Sequence, residues 1–188
     1  MDRRTALPEG AVLLFPGMVC QIEKEIGRGS NAIVYKGHYE DAALKGQHHH
    51  VLVKELFPYH SEGKIDRSKE NQTILCQKEA QTVWEMHEKS FMRGNAVHLQ
   101  LLQKHPAEIG GNFNTFALNG TYYTILDFSG GRTLNTQENG GPSCLRQLVR
   151  RMMGMLDRLE IFHEMGFLHL DISPDNVLLI NSGKWEQV

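Results

Sequence analysis

His169-Leu170-Asp171-Ile172-Ser173-Pro174-Asp175-Asn176, followed by the apolar run Val177-Leu178-Leu179-Ile180, is the stretch whose reading decides the rest of the chain. An Asp and an Asn five positions apart, with a Pro between them and a strand-like run after, place a proton acceptor and a metal ligand on one short rigid loop. Asp171 is the candidate acceptor and Asn176 the candidate ligand.

The 188 residues have room for one good-sized domain or two small lobes, and a hydrophobic content of 40% is enough to bury a core. A net charge of -2 leaves no electrostatic footprint for nucleic acid or an acidic membrane, and neither is expected as a partner. The longest early apolar run, from Ala11 to Phe15, is far short of the ~18 residues a membrane span needs. Cys20, Cys76 and Cys144 are odd in number and far apart, which fits neither a disulfide framework nor a zinc site. They suit a reducing compartment, so a cytoplasmic protein is the expectation.

Read from its start, the chain opens with a leader, Met1 to Gly17, whose Pro8 and Pro16 predict an irregular or poorly ordered end. Residues alternate from Cys20 to Ile26, turn at Gly27-Arg28-Gly29-Ser30-Asn31 and return through Ala32 to Tyr35. Two glycines at that spacing let backbone amides approach a polyphosphate with no side chain in the way, although a Gly-rich hairpin can also be no more than a turn. Ile33-Val34-Tyr35 continues as a strand and not a helix, which removes a dinucleotide site. His48-His49-His50 reads as a solvated loop tip, because neighbours on an extended chain point to alternate faces and do not converge on one ion. Lys54 sits inside the apolar strand Val51 to Leu56, where an ammonium is costly unless it is paired or snorkels from a sheet edge.

Helical spacing runs from about Lys69 to Lys89, with Cys76, Ala80, Val83 and His87 on one face, and again from Asn95 to Lys104 before Pro106. Phe113 to Leu118, Asn119-Gly120 and Thr121 to Phe128 form a hairpin joined by the dipeptide suited to a type I′ turn. The polar, Gly-rich segment 129–142 is the best domain boundary. Beyond it Ser143 can cap a helix whose apolar positions Leu145, Leu148, Met152, Met155, Leu159 and Phe162 recur at steps of three and four, and Gly166 fits its stop. The Met-rich stripe reads as core packing.

The octapeptide resembles the catalytic loop of protein kinases, H-R-D-x-x-x-x-N, with Leu170 at the usual Arg. Three more stretches resemble the same family in the same order. The turn from Gly27 is similar to G-x-G-x-x-G-x-V, with Ala32 at the third Gly and Val34 at the Val; Val51 to Lys54 is similar to V-A-I-K, with Leu52 at the Ala; and Lys78-Glu79-Ala80 resembles the helix whose Glu pairs with that Lys. The implied fold is α+β and bilobal. It has a five-stranded antiparallel N-lobe sheet with its helix over residues 18–128, a hinge over 129–142, and the first part of a mainly helical C-lobe over 143–188.

The resemblance implies an ATP- and Mg²⁺-dependent Ser/Thr protein kinase. Asp171 is then the base toward a protein hydroxyl, Asn176 a Mg²⁺ ligand, and Lys54, held by Glu79 with Glu85 as competitor, the grip on the phosphates beneath Gly27, Gly29, Ser30 and Ala32. Val34, Leu52 and the gatekeeper Leu126 would meet adenine, and Asp127, Phe128 and Ser129 would form the hinge. His169 is implied as a structural support of its loop. Leu170 removes the Arg that reads a phosphorylated activation loop, and Ser173 replaces the Lys commonly found two residues after the catalytic Asp. The family continues to D-F-G and further helices, whereas this sequence stops at Val188. The expectation is therefore a fragment, which would dock on the missing C-lobe or a partner chain, or a natural truncation that binds without catalysing. A small-molecule kinase of the same fold is a further alternative.

Overall fold

The computed structural model describes residues 2–41, 46–109, 113–128, 130, 132–134, 145–182 and 185–187. Two compact units divide the chain, one comprising Met1–Gln100 with Gly111–Phe128 and the other Leu101–Gly110 with Ser129–Val188.

The first unit is built on strands β1 (Val12–Phe15), β2 (Met18–Arg28), β3 (Ala32–Glu40) and β4 (His48–Leu56). A two-stranded hairpin of β5 (Ile65–Arg67) and β6 (Ile74–Cys76) follows, then helix α1 (Gln81–Lys104), whose end from Leu101 is grouped with the short α2 (Pro106–Ile109) in the second unit. Strands β7 (Phe113–Leu118) and β8 (Thr121–Asp127) complete a six-stranded antiparallel sheet in the order β1-β2-β3-β4-β8-β7. Asn119 and Gly120 have φ of 52° and 69°, the left-handed pair a type I′ turn requires. A Cβ on Gly120 would also lie 2.9 Å from the Ile74 carbonyl oxygen, so the turn packs against β6 as only Gly allows.

Strand alternation puts Leu13, Ile22, Ile33, Tyr35, Val51, Val53, Tyr123 and Ile125 on one buried face. Leu7, Phe57, Ile65 and Ile74 join them in the core. Glu55 lies on that face too and is fully buried, which is tolerable only because donors converge on its carboxylate. Tyr35 donates to Oε2 at 2.8 Å, Tyr123 to Oε1 at 2.6 Å, and Arg67 Nη2 to Oε2 at 2.6 Å. Burial, then the neighbouring carboxylate, pushes both phenols well above their ordinary range, so they remain donors. Arg67 also donates to the carbonyls of Thr5 and Gln72, and its guanidinium lies 5.4 Å from the Phe57 ring centroid.

Four expectations change. The leader is not irregular throughout: Leu13 and Phe15 are buried while Val12 and Leu14 are exposed, an alternation that pairs β1 with β2 through a Pro16-Gly17 turn with Gly17 at φ 77°. The sheet therefore has six strands and not five. The three histidines are no loop tip but the start of β4, where His38 and His50 share Glu23 and His49 faces Asp41. The expected helix at 69–89 begins only at Gln81, because Ile74–Cys76 pairs with β5, and it runs unbroken through Gly94 into the stretch expected as a second helix.

In the second unit, helix α3 (Leu145–Glu164) ends as its Gly166 requires. Gly166, at φ 77°, donates to His163 O and Phe167 donates to Phe162 O, which is a Schellman closure. The expected cap Ser143 lies outside the described residues, as does Cys144. The apolar stripe of α3 is a further correction: Leu145, Leu148 and Met152 are exposed, and the buried side chain is Arg151. Strands β9 (Arg132–Thr133), β10 (Leu178–Ser182) and β11 (Trp185–Gln187) form a small antiparallel sheet with β10 in the middle.

Breaking the Glu55 network by Arg67→Met leaves a buried carboxylate with two neutral donors and is expected to cost about 3 kcal/mol. Urea unfolding of the variant checks this; a midpoint equal to that of the parent chain would mean that the pair does not support the core.

Candidate functional site

The expected nucleotide residues of the first unit fall in one row across the sheet. Gly27 pairs with Val34, Val34 with Lys54, Lys54 with Thr124, and Thr124 with Thr115. Leu52 and Leu126 are paired one step along the same face. With strands about 4.8 Å apart, Gly27 and Lys54 are two strands, about 10 Å, from each other. This is the face opposite the Glu55 core, since successive residues of β4 alternate sides.

A Cβ added to Gly27 or Gly29 would meet nothing within 4 Å, and neither residue has a positive φ. The fold itself therefore does not call for glycine at these two positions. The turn is held from behind: Gly29 donates to Ala32 O, while Ser30 O and Asn31 O accept from the amides of Tyr59 and Phe57. Ala32 is buried and Ser30 exposed. Phe128 donates to His50 O at 3.0 Å, Asp127 is exposed at the end of β8, and Ser129 lies outside the described residues.

Lys54 is half-buried, and its Nζ lies 5.7 Å from the centroid of the Phe91 ring. Desolvation lowers its pKa from the ordinary lysine value of 10.5. Among the described residues no carboxylate reaches it. Glu79, expected as its partner, is exposed on the single turn Lys78–Ala80 ahead of α1, and its charge acts on Lys64. Glu85 is exposed and accepts from Gln81, and Glu88 accepts from Trp84 Nε1 at 3.1 Å. The helix start explains this: beginning at Gln81, α1 turns Trp84, Phe91 and Asn95 toward the sheet, and Asn95 bonds to Thr115 and Thr124 in the Lys54 row. Phe91 and Asn95 were not singled out from the sequence. The seven-residue step from Trp84 to Phe91, read as one helix, would have found the first.

In the second unit Asp171 is exposed, and its carboxylate is fixed from within the loop. Asn176 Nδ2 donates to Asp171 Oδ2 at 3.0 Å and to Asp171 O at 2.9 Å. Asn176 reaches back because Pro174–Asn176 forms one tight turn, its amide donating to Ser173 O. The Asp171 amide approaches His169 Nδ1 at 3.4 Å, and the His169 ring meets Phe162 edge-on at 5.8 Å. Leu170 is 87% exposed at φ 60°, a left-handed conformation that costs a branched side chain about 1 kcal/mol or more. Behind the loop, Leu134 donates to Val177 O and β9 pairs with β10. With Nδ2 engaged, Asn176 Oδ1 and Asp171 Oδ1 are the oxygens left for a hard cation.

No protein-family model matches the chain. Over 85 residues it is 34% identical to the serine/threonine-protein kinase PKH3 of Saccharomyces cerevisiae, a stretch that takes in 45% of this chain and 10% of that protein. The apo form of PpkA-294 superposes with a TM-score of 0.66 at 24% identity, covering 91% of this chain and 56% of that one. The BubR1 kinase domain superposes with a TM-score of 0.57 at 18% identity, covering 96% of this chain and 47% of that one. The chain has a protein-kinase-like fold. It spans a tenth of the curated kinase it matches and about half of each of these two solved chains. In kinase-like terms the first unit carries the N-lobe-like sheet, and the resemblance to protein kinases stands at the level of the fold. Among the described residues no helix is long and apolar enough to cross a membrane.

An unpaired, desolvated ammonium opposes folding. Lys54→Met is therefore expected to raise stability near neutral pH by about 1 kcal/mol. Because the folded-state pKa is depressed, the folded chain sheds this proton first as pH rises, and the advantage of the variant should shrink toward pH 10.5. Melting curves at neutral and alkaline pH check this; a variant less stable than the parent at neutral pH would reveal an anionic partner for Lys54.

Proposed function

We propose that this chain carries the ATP-handling elements of a protein kinase domain, one that transfers the γ-phosphoryl group to Ser or Thr hydroxyls of a protein. The observation that carries this reading is Lys54, a half-buried cation with no carboxylate of its own among the described residues, standing in the row that begins at Gly27. Such a cation beside an open, glycine-rich turn is a site for an anion.

In this reading Lys54 holds the phosphates, and the amides of Ser30 and Asn31 face them under the turn formed by Gly27, Gly29 and Ala32. Val34, Leu52 and Leu126 form the apolar seat for adenine, with the backbone of Asp127 and Ser129 as hinge. Asp171 accepts or orients the proton of the substrate hydroxyl, held by Asn176. The free oxygens of Asn176 and Asp171 suit Mg²⁺, which when bound offsets phosphate charge. The reading places the protein in the cytoplasm, consistent with free thiols at Cys20 and Cys76.

A second reading, an ATP-binding module without catalysis, draws on the same lysine. The partner expected at Glu79 faces solvent, and Ser173 stands where a further cation is usual. Two measurements separate these readings. Mg²⁺-dependent ATP binding by the chain is expected, and Lys54→Met should weaken it at least ~10-fold, the effect of losing one charge-assisted contact. No binding by the parent chain would remove the nucleotide function. In the protein that carries this chain, Asp171→Asn is expected to lower phosphate transfer by ~100-fold or more. Equal rates would remove Asp171 from the mechanism, and ATP binding with no transfer in either form would favour the module.

A further inference from the structure

The three carbonyls at the tip of the glycine turn all point back into the first unit. Ser30 O and Asn31 O accept backbone amides, as already described, but Gly29 O is held by a side chain, accepting from Arg4 Nη2 at 2.7 Å. Arg4 is buried, 7% exposed, and four of the five N–H groups of its guanidinium are engaged. Nε and Nη2 donate to the Asp2 carboxylate at 2.6 to 3.1 Å, Nη1 donates to Phe57 O, and the cation lies 5.7 Å and 6.0 Å from the ring centroids of Phe57 and Tyr59. The hold is reciprocal. From the turn, Arg28 donates to Arg4 O at 3.1 Å while paired with Glu25, and it lies 3.7 Å from Asp2. Residues 2–7 are themselves pinned to the core, Thr5 O by Arg67 and the Leu7 amide by Tyr35 Oη.

This arrangement has an electrostatic effect on the turn. A peptide carbonyl turned outward would present negative charge to an incoming phosphate, whereas one turned inward leaves amide dipoles facing out. With the carbonyls of 29–31 engaged, the amides of Ser30 and Asn31 have no acceptor among the described residues. Two of the three holds are backbone bonds available to any sequence. The third depends on Arg4, 25 residues away in the chain.

We propose that Arg4 is a positioning residue for the glycine turn, keeping the Gly29 carbonyl turned inward so that the turn presents its amides to the phosphates of a nucleotide. This rests on the nucleotide reading given above. It makes Arg4 a support of the phosphate site that does not touch the ligand. A lysine at this position would keep the charge but could not span Asp2, Gly29 and Phe57 together.

The test compares ATP with adenosine, because only ATP reaches the turn. Arg4→Ala and Arg4→Lys in the 188-residue chain are expected to weaken ATP binding ~10-fold and ~3-fold respectively, with adenosine binding unchanged. Asp2→Asn, which leaves Arg4 on Gly29, should stay within ~2-fold of the parent for both ligands. If Arg4→Ala does not fold, Arg4→Lys and Asp2→Asn still give the comparison. Parent-like ATP affinity in the Arg4 variants, or equal losses for ATP and adenosine, would overturn the proposal. Amide hydrogen exchange at Gly29 and Tyr59, whose amides are bonded to Ala32 O and Ser30 O, is read in parallel without ligand, and Arg4→Lys should accelerate it while leaving β4 protected. Should the parent chain bind neither ligand, the nucleotide reading fails; unchanged exchange in the variant would then overturn the positioning role as well.

Discussion

The constraint on which the first unit depends is the alternation of β4 at two adjacent charged residues. Lys54 and Glu55 must point to opposite sides of the sheet. The carboxylate enters the core and needs donors from several directions, and the chain supplies them from β3, β8 and the β5–β6 hairpin. The ammonium stays on the other side with an aromatic ring near it and no counter-charge among the described residues. One face of the sheet is thereby electrostatically closed and the other left open. An apolar residue at position 55 would have freed Arg67, and with it the reason for β5–β6 and residues 5–7 to lie where they do.

Two arginines act as struts in this unit, each passing over the Phe57 ring and each fastening the N-terminal segment. Arg67 ties that segment to the core, and Arg4 ties it to the glycine turn. Both spread one delocalised charge over several carbonyls, a use for which the planar fork of Arg is suited. The kinase-like sheet thus carries a sixth strand and a buried ionic layer on its back face.

What could be read from the sequence was local. The Asn119-Gly120 hairpin, the Gly166 stop, the strand around Lys54 and the loop from His169 to Asn176 are each decided by residues within one turn of one another. What could not be read depended on distant partners. Glu79 was expected beside Lys54 because it sits in a familiar run of residues, yet strand pairing of Ile74–Cys76 with Ile65–Arg67 delays the helix and turns that glutamate outward. The leader reads as irregular from Pro8 and Pro16, and the uniformly apolar Val12 to Phe15 shows its in-and-out alternation only once paired with β2. Glu55, next to Lys54 in the same apolar run, was not singled out from the sequence, and its partners are 12 to 68 residues away. The α3 stripe showed its period correctly, and period alone does not say what covers a helix.

The bond from Asn176 to Asp171 has an entropic meaning. A free aspartate on an exposed loop samples several rotamers, and a reaction that needs one of them must first select it. Here the same amide engages both the backbone carbonyl and the carboxylate of Asp171. The side-chain torsions are therefore settled when the loop closes on itself. Whatever proton the carboxylate meets, its alignment has already been supplied by a neighbour five residues along the chain.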